Sequence, residues 1–217
     1  PKEQLDEYVK AAYRCLKCLL CSQVDWHKLL YWQSNCPNGA YHEGLPTFYA
    51  SGLLDMFRAF MEGKIKEPSE RLWEALFSCT TCGNCFEQCS KLAGVRLNHV
   101  EIIEAFRALV VERFGPHPRH ARWHEWVVKE HNPYMEPHDK RTAWLDEKVP
   151  TQAETIYFVG CTSSYRQTEI AKATVELLKA AGVDFAIMHP DEWCCGSPLL
   201  RTGRKDIATQ LAKHNIE

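Results

Sequence analysis

The cysteines of this sequence fall into three groups whose spacing is suited to metal clusters. The chain has eleven cysteines among 217 residues. The first group is a C-x2-C-x2-C run with a more distant fourth member: Cys15, Cys18, Cys21 and Cys36. The second is an unbroken C-x2-C-x2-C-x3-C run: Cys79, Cys82, Cys85 and Cys89. The third is a single cysteine and an adjacent pair: Cys161, Cys194 and Cys195.

The first two groups predict two cubane iron–sulfur clusters. A C-x2-C-x2-C loop turns tightly around one cube and supplies three thiolates, and in two-cluster proteins the fourth belongs to the other motif. We therefore expect one [4Fe-4S] cluster on Cys15, Cys18 and Cys21, completed by Cys89. The other would lie on the second group's triplet (Cys79, Cys82 and Cys85), completed by Cys36. Gly83 suits a close approach of backbone N–H groups to the sulfurs.

Other uses of these cysteines remain open at this point. Zinc sites also use C-x2-C pairs, but they do not call for a third cysteine at the same spacing. A disulfide scaffold is disfavoured because the charged N-terminus has no apolar export signal. A redox dithiol of the C-x-x-C type belongs in a β-α-β context, whereas these two groups lie among predicted helices.

Composition and charge exclude several functions. Lys and Arg total 26 against 28 Asp and Glu, for a formal charge of −2, so nothing favours binding to nucleic acid or to an anionic membrane. No apolar run approaches the length of a membrane span. We find no glycine-rich nucleotide loop, no Ser-His-Asp set and no paired carboxylates, so the sequence offers no catalytic residue of its own.

Helical patterns surround the first two groups and predict a mainly α-helical domain over residues 1–115. A short amphipathic helix precedes Cys15, and residues 47–62 form a second. Ser69 is a suitable N-cap for a third. The clearest pattern covers 97–114, where apolar residues recur on one face before Gly115. Residues 116–150 are rich in Pro and His and predict an irregular connector, with a helical turn or two around 123–128.

Residues 151–217 predict the start of a parallel α/β domain. The run TIYFV at 155–159 indicates a buried strand, and FAIM at 185–188 indicates a second one. Between them, residues 167–181 indicate a helix with Ile170, Leu177, Leu178 and Ala181 at helical spacing. Such a β-α-β unit has parallel strands. Cys161 and the Cys194–Cys195 pair then follow the carboxyl ends of the two strands, where α/β sheets place their ligands. The fold class expected is α + α/β.

Four stretches together resemble one protein family. They are EAFRALVVERFG, NPYMEPHDKRTAW, FVGC and DEWCCGSPLLRTG, alongside the paired cluster motifs. The family is the iron–sulfur proteins similar to the D-type subunit of heterodisulfide reductase, which join an α-helical ferredoxin domain to cysteine-rich CCG domains. The resemblance covers nearly the whole chain, and its cluster motifs are specific to the superfamily rather than to one substrate.

The resemblance implies an electron-transfer subunit of a multi-subunit anaerobic oxidoreductase. Its partners would be flavin-, iron–sulfur- or metal-containing redox subunits, in the cytoplasm or at the inner face of the membrane through a partner. A third iron–sulfur cluster, cubane or noncubane, would use Cys161, Cys194 and Cys195. The alternatives are an iron–sulfur subunit of a flavin-linked glycerol-3-phosphate, glycolate or lactate dehydrogenase and, in another class, a zinc-stabilised binding or scaffold module.

The sequence departs from the family pattern in two places. Fourteen residues separate Cys21 from Cys36 where the compact ferredoxin pattern has three, and Ser90 replaces the proline that usually follows the fourth cysteine. A complete CCG motif has a further C-x2-C, but no cysteine follows Gly196 here. We therefore expect a natural chain that continues beyond residue 217, because one β-α-β unit cannot cover both faces of a sheet.

Histidines and aromatic residues offer weaker candidates. His117, His120 and His124 have helical spacing that would suit a metal, but neighbouring Pro and Arg favour a solvated connector. His27 lies near the first group, where a surface role is the simpler expectation. Trp26, Tyr31 and Trp32 belong to the long segment before Cys36 and would shield a cluster or contact a partner.

Overall fold

A computed structural model describes residues 2–22, 35–146, 148–188 and 190–217. The chain divides into two units. Unit 1 comprises residues 1–116 with 201–203, and unit 2 comprises residues 117–200 with 204–217. Residues 26, 27, 31 and 32, considered above as shielding or surface groups, lie outside the described residues.

Helices make up unit 1, and they include the four that the sequence patterns predict together with two short ones that the patterns do not. The α-helices are α1 (Lys2–Tyr13), α2 (Pro37–Tyr41), α3 (Ala50–Met61), α4 (Glu70–Ser78), α5 (Asn84–Gln88) and α6 (His99–Phe114). Short 3-10 turns occupy Leu20–Ser22 and Pro46–Phe48, and a π-helical turn follows α5 at Cys89–Ala93.

Local signals explain where these helices begin and end. Ser69 Oγ accepts a hydrogen bond from Leu72 N at 3.1 Å and so caps α4. Asn98 caps α6 in the same way, through Glu101 N at 3.3 Å. Gly115 then ends α6 with a φ of 86°, a conformation that favours glycine. The predicted helix over 97–114 is confirmed, with its first two residues outside the helix.

The apolar faces of α3, α4 and α6 form the core of unit 1. Leu54, Leu76 and Phe106 are fully buried, and the rings of Phe57 and Phe60 each lie 5.5 Å from that of Phe106. Aromatic contacts at this separation add to the free energy gained by burial. This core anchors the helix ends that lead into the cysteine loops.

The elements from residue 117 onward build a small α/β arrangement. They are α7 (Pro118–Glu130), a 3-10 turn at His138–Thr142, β1 (Thr155–Tyr157), α8 (Gly160–Tyr165), α9 (Thr168–Ala180), β2 (Phe185–Ile187), α10 (Ser197–Arg201) and α11 (Lys205–Ile216). The two strands pair in parallel, with Ile156 opposite Ala186. The expected α + α/β class is confirmed.

The prediction of an irregular connector over 116–150 is wrong for its first half. Residues 118–130 form the regular helix α7. Pro118 occupies the first turn, where a missing N–H costs no hydrogen bond. His117 Nδ1 accepts a hydrogen bond from Arg119 N at 3.1 Å and caps the helix. Proline therefore marks the beginning of a helix here rather than its interruption.

Two expectations about burial in the β-α-β unit are also wrong. Ile156 in β1 is 46% exposed, whereas β2 is buried along its length. In α9 the buried residues are Ala171 and Val175, and the predicted Leu178 packs beside them, while Ile170 and Leu177 are 53% and 70% exposed. The small residue Ala171 lets the helix approach the sheet, so the packing face lies one residue round from the larger side chains.

The helices of the described residues include none with the length and apolar character needed to cross a bilayer.

Candidate functional site

Four cysteines from two distant parts of unit 1 surround one open cavity of about 330 Å³. They are Cys15, Cys18, Cys21 and Cys89. Most other wall residues are apolar: Leu16, Leu19, Leu20, Ala93, Val95 and Leu97. Ser51 and His99 are the polar members of the described wall. We refer to this space as the first cavity.

The elements around the first cavity explain how its cysteines converge. Helix α1 ends at Tyr13, and the chain turns at once so that Cys15 faces the space. Lys17 and Leu19 take left-handed backbone conformations, with φ of 57° and 60°. These reversals curl the C-x2-C-x2-C loop around the cavity. Cys89 begins the π-helical turn that follows α5, a helix distortion that is frequent at functional sites.

A second cavity, of about 400 Å³, is surrounded by the remaining cysteines of unit 1. They are Cys36, Cys79, Cys82 and Cys85. Its wall is more polar than that of the first cavity and includes Asn38, Thr80, Thr81 and Asn84. The structure thus places the four cysteines of each predicted ligand set around a common space.

Helix ends deliver the cysteines of the second cavity. Cys79 follows the last residue of α4, and Gly83, with a φ of 84°, starts α5. Cys36 caps α2, and its Sγ accepts a hydrogen bond from Gly39 N at 3.4 Å. Thr81 N likewise donates to the Cys79 thiol. Hydrogen bonds of this kind hold ligand sulfurs in place and tune a bound metal.

Burial raises the pKa of several of these thiols and so favours their neutral form. It raises the pKa of Cys21 to about 11 and raises the pKa of Cys36, Cys79 and Cys85. A metal that enters the cavity would favour the thiolate forms, because metal binding displaces the thiol protons. Four thiols around one cavity form the donor set that an iron–sulfur cluster requires.

One short helix joins the two cavities. Cys85 lies in α5 and faces the second cavity, while Cys89 follows α5 and faces the first. Four residues of helix correspond to about 6 Å along the axis. The charge of Cys21 also acts on Cys85, which raises the Cys85 pKa beyond the effect of its burial. The two sites are therefore immediate neighbours.

The third cysteine group converges within unit 2. Cys161, in α8, is hydrogen-bonded to Cys194, and Cys194 in turn to Cys195. This bond from Cys194 lowers the pKa of Cys195 to about 6. Gly196 has a φ of 81°, and a Cβ there would lie 3.1 Å from Ala208 Cα. The glycine of the CCG triplet therefore lets the backbone pass close to α11.

A buried arginine and glutamate hold Cys161. Both terminal nitrogens of Arg141 donate to Cys161 Sγ, at 3.6 and 3.5 Å. Arg141 is also paired with Glu192 at 2.6 Å, and both residues are almost fully buried. Glu192 accepts further hydrogen bonds from Val159 N and Gly160 N at 2.7 and 2.9 Å. The carboxylate thus fixes the turn that carries the thiol.

Aromatic stacking fixes the cysteine pair. Trp193 lies between the rings of His131 and His214, with centroid separations of 3.7 and 3.6 Å. Cys194 N donates to His131 O at 2.9 Å, and Asn215 Nδ2 donates to Cys194 O at 3.3 Å. Cys194 is therefore held from both sides by unit 2.

The histidines of α7 lie along one face, as their spacing predicts. The rings of His117 and His120 are 5.0 Å apart, and those of His120 and His124 are 5.9 Å apart. His124 is buried, which lowers its pKa to about 4 and contradicts the expectation of a solvated connector. No three His, Cys, Asp or Glu side chains of the described chain are arranged to hold a single metal ion.

Sequence reasoning missed the charged and polar residues beside the thiols. Arg107, Arg141, Glu192 and His99 are buried next to one cysteine group or another. Arg107 did give a signal, since it lies at helical spacing from Ile103 on an otherwise apolar face of α6. Glu192 lies only two residues before Cys194, whereas Arg141 and His99 are brought to their sites from elsewhere in the chain, which spacing does not reveal.

Comparison with known proteins supports a redox role for this arrangement. The model of the CCG cysteine-rich domain family matches residues 155–217. The chain is 35% identical to the D-type subunit of the dihydromethanophenazine:CoB–CoM heterodisulfide reductase of Methanosarcina barkeri, over 94% of this chain and 51% of that protein. It is 31% identical to the B-type subunit of the fumarate reductase (CoM/CoB) of Methanothermobacter marburgensis, over 65% of this chain and 28% of that protein.

A third relative is an oxidoreductase from a different organism. The EtfAB:quinone oxidoreductase of Syntrophomonas wolfei is 29% identical over 69% of this chain and 22% of its own length. The chain spans about half the length, or less, of the relatives it matches. No solved structure matches it significantly.

The fold, the cysteine groups and these matches define an iron–sulfur redox protein with a CCG cysteine-rich domain. Within that class, the chain is similar over most of its length to the D-type subunit of heterodisulfide reductase.

Proposed function

We propose that this chain transfers electrons within a multi-subunit oxidoreductase of the heterodisulfide reductase type, through two [4Fe-4S] clusters in unit 1. The observation that carries the proposal is the pairing of each cysteine triplet with the fourth cysteine of the other group. The first cluster would be bound by Cys15, Cys18, Cys21 and Cys89. The second would be bound by Cys36, Cys79, Cys82 and Cys85.

The residues of unit 1 suit the proposed cofactors. Clusters of this type accept and release single electrons when bound. The backbone N–H groups of Gly39 and Thr81 steady the sulfurs of Cys36 and Cys79. Leucines of the first cavity would present apolar surface to a bound cluster. The helical turn between Cys85 and Cys89 keeps the two sites close enough for electron exchange.

We further propose that the third group contributes to a third cluster, cubane or noncubane, with ligands that this sequence does not contain. Its support is the convergence of Cys161, Cys194 and Cys195, with Arg141 donating to one sulfur. Other redox subunits would supply and remove the electrons. We place the protein in the cytoplasm, where cysteines stay reduced and so available to bind clusters.

Iron, acid-labile sulfide and zinc should be measured on anaerobically purified protein, with EPR spectra of the dithionite-reduced sample. We expect about eight iron and eight sulfide per chain from unit 1 alone. Cys82→Ser should remove about four of the irons, whereas Ser90→Ala, beside a ligand but not one itself, should remove none. Zinc without sulfide would refute the proposal and support a scaffold module.

A further inference from the structure

A buried arginine lies directly behind the loop of the second cavity. Arg107, in α6, is 2% exposed. Its Nε and Nη2 donate to Leu76 O at 2.9 and 2.7 Å, and Nη2 also donates to Cys79 O at 2.5 Å. The guanidinium therefore holds the last turn of α4 at the point where the chain enters the second cysteine loop.

The charge of Arg107 has no carboxylate partner within ion-pair distance in the described chain. Glu104, on the same helix, is instead paired with Arg201 at 3.1 Å. After the cost of its burial, the largest electrostatic influence on Arg107 is the Cys79 thiol. Leaving a buried charge uncompensated is strongly unfavourable. An arginine stays protonated in proteins, so a fixed positive charge lies directly beside the second cavity, where it would interact favourably with an anion.

The first cavity has no comparable charge in its described surroundings. Lys17, in its loop, is paired with Asp55, and both side chains are partly exposed to water. Arg58 lies 3.6 Å from the same carboxylate. His99, in the wall, has a pKa that burial lowers to about 4, so it is neutral near pH 7. The positive charges near this cavity are thus compensated or screened.

We propose that Arg107 raises the reduction potential of the second cluster above that of the first, so that electrons pass from the first cluster to the second. This inference rests on the proposed function. A cubane bound by four thiolates is an anion that becomes more negative on reduction, and a fixed positive charge stabilises the more negative form. In the transfer one cluster loses one electron and the other gains it. No proton moves and no bond is made or broken.

The test is a redox titration followed by EPR on wild-type protein and on Arg107→Met, Arg107→Lys and Arg113→Met. Arg113 lies on the same helix but is exposed, so its loss is the matched control for a change of charge. We expect Arg107→Met to lower the potential of the second cluster by at least about 59 mV, a tenfold change for a one-electron couple. Arg107→Lys should retain most of the difference, and Arg113→Met should leave both potentials unchanged.

Salt provides a further readout. The effect of Arg107 should persist at high ionic strength because buried charges are poorly screened. Equal shifts of both clusters in Arg107→Met, or no shift of the second, would overturn the inference while leaving the proposed function intact. Absence of iron–sulfur clusters from the wild-type protein would overturn both.

A comparison without any arginine variant covers the case in which Arg107→Met does not fold. Cys18→Ser should leave the second cluster, and Cys82→Ser should leave the first. The cluster that survives in Cys18→Ser should have the higher potential. The opposite order, or equal potentials, would overturn the inference.

Discussion

The two cysteine loops of unit 1 share one shape and differ in their surroundings. The residue before the second cysteine is left-handed in both loops, with φ of 57° at Lys17 and 51° at Thr81. So is the residue after it, with φ of 60° at Leu19 and 84° at Gly83. The first loop faces leucines, whereas the second faces polar side chains. Spacing thus fixes the loop, while distant residues set its electrostatic environment.

The difference in surroundings suggests that the two sites have different reduction potentials. An apolar wall with compensated charges favours the less negative, oxidised form of a cluster, and a polar wall backed by a cation favours the reduced form. The same C-x2-C-x2-C spacing therefore suits both ends of an electron-transfer step.

Substitution of the fourth cysteine of either cluster should have the largest effect on iron content. Cys89→Ser should abolish the same EPR signal as Cys18→Ser, which is that of the first cluster. Cys36→Ser should abolish the same signal as Cys82→Ser, which is that of the second cluster. Each variant should lose about four irons. The physical reason is that Cys89 and Cys36 lie in the cavities of the opposite triplets. If Cys89→Ser instead matched Cys82→Ser, each motif would hold its own cluster.

The left-handed position after the second cysteine should respond differently in the two loops. Gly83→Leu should destabilise the protein by about 1–2 kcal/mol, because a side chain is strained at this φ. Leu19→Gly should be nearly neutral, since relief of about 1 kcal/mol of strain is offset by the greater entropy of glycine in the unfolded chain. Anaerobic denaturation midpoints measure both, and an equal cost for the two variants would contradict the interpretation.

The neutral histidine of the first cavity should make stability depend on pH. The folded pKa of His99 is about 4 against an ordinary 6.5, because its burial disfavours the charged form. As the pH falls, His99 therefore takes up a proton in the unfolded chain before it does so in the folded protein, which favours unfolding. The contribution of neutral His99 to the free energy of unfolding is complete above pH 6.5 and is lost towards pH 4.

Comparison with His99→Phe isolates this dependence from that of other groups. Between pH 7 and pH 5 the wild-type protein should lose about 1–2 kcal/mol more of its free energy of unfolding than the variant. Anaerobic urea unfolding at the two pH values measures the difference. Parallel losses in both proteins would show that His99 is already solvated or charged.

The smallest effect is expected from the exposed ion pair beside the first loop. Lys17→Gln removes the pair with Asp55 and a hydrogen bond to Ser51 O at 3.2 Å. Partly exposed pairs contribute less than about 1 kcal/mol. Neither the stability nor the potential of the first cluster should change by more than the variation among surface variants. A large fall in potential would mean that this cavity also depends on a nearby cation.

Much of unit 1 was predictable from sequence because local signals define its helices. Ser69 and Gly115 mark helix ends through their own chemistry, and the cysteine spacing predicts each loop. The crossing of Cys36 and Cys89 between cavities stays a prediction about ligands, although the structure places both as expected. Arg107 was missed because its partners are backbone carbonyls, which no sequence pattern identifies.

Unit 2 was less predictable because tertiary packing decides its faces. Pro118 suggested an interruption, but in the first turn of a helix it is harmless. The large residues Ile170 and Leu177 suggested the packing face of α9, yet the sheet contacts the smaller Ala171. The bond from Arg141 to Cys161 joins residues 20 positions apart, and only the folded chain brings them together.

The helix α5 has a consequence for how the protein would acquire its metal. Only its last three residues, 86–88, separate Cys85, in the wall of one cavity, from Cys89, in the wall of the other. Filling either cavity fixes the orientation of this turn and so presents the remaining cysteine to the empty one. Maturation should then be cooperative, with chains that hold two clusters or none outnumbering chains that hold one.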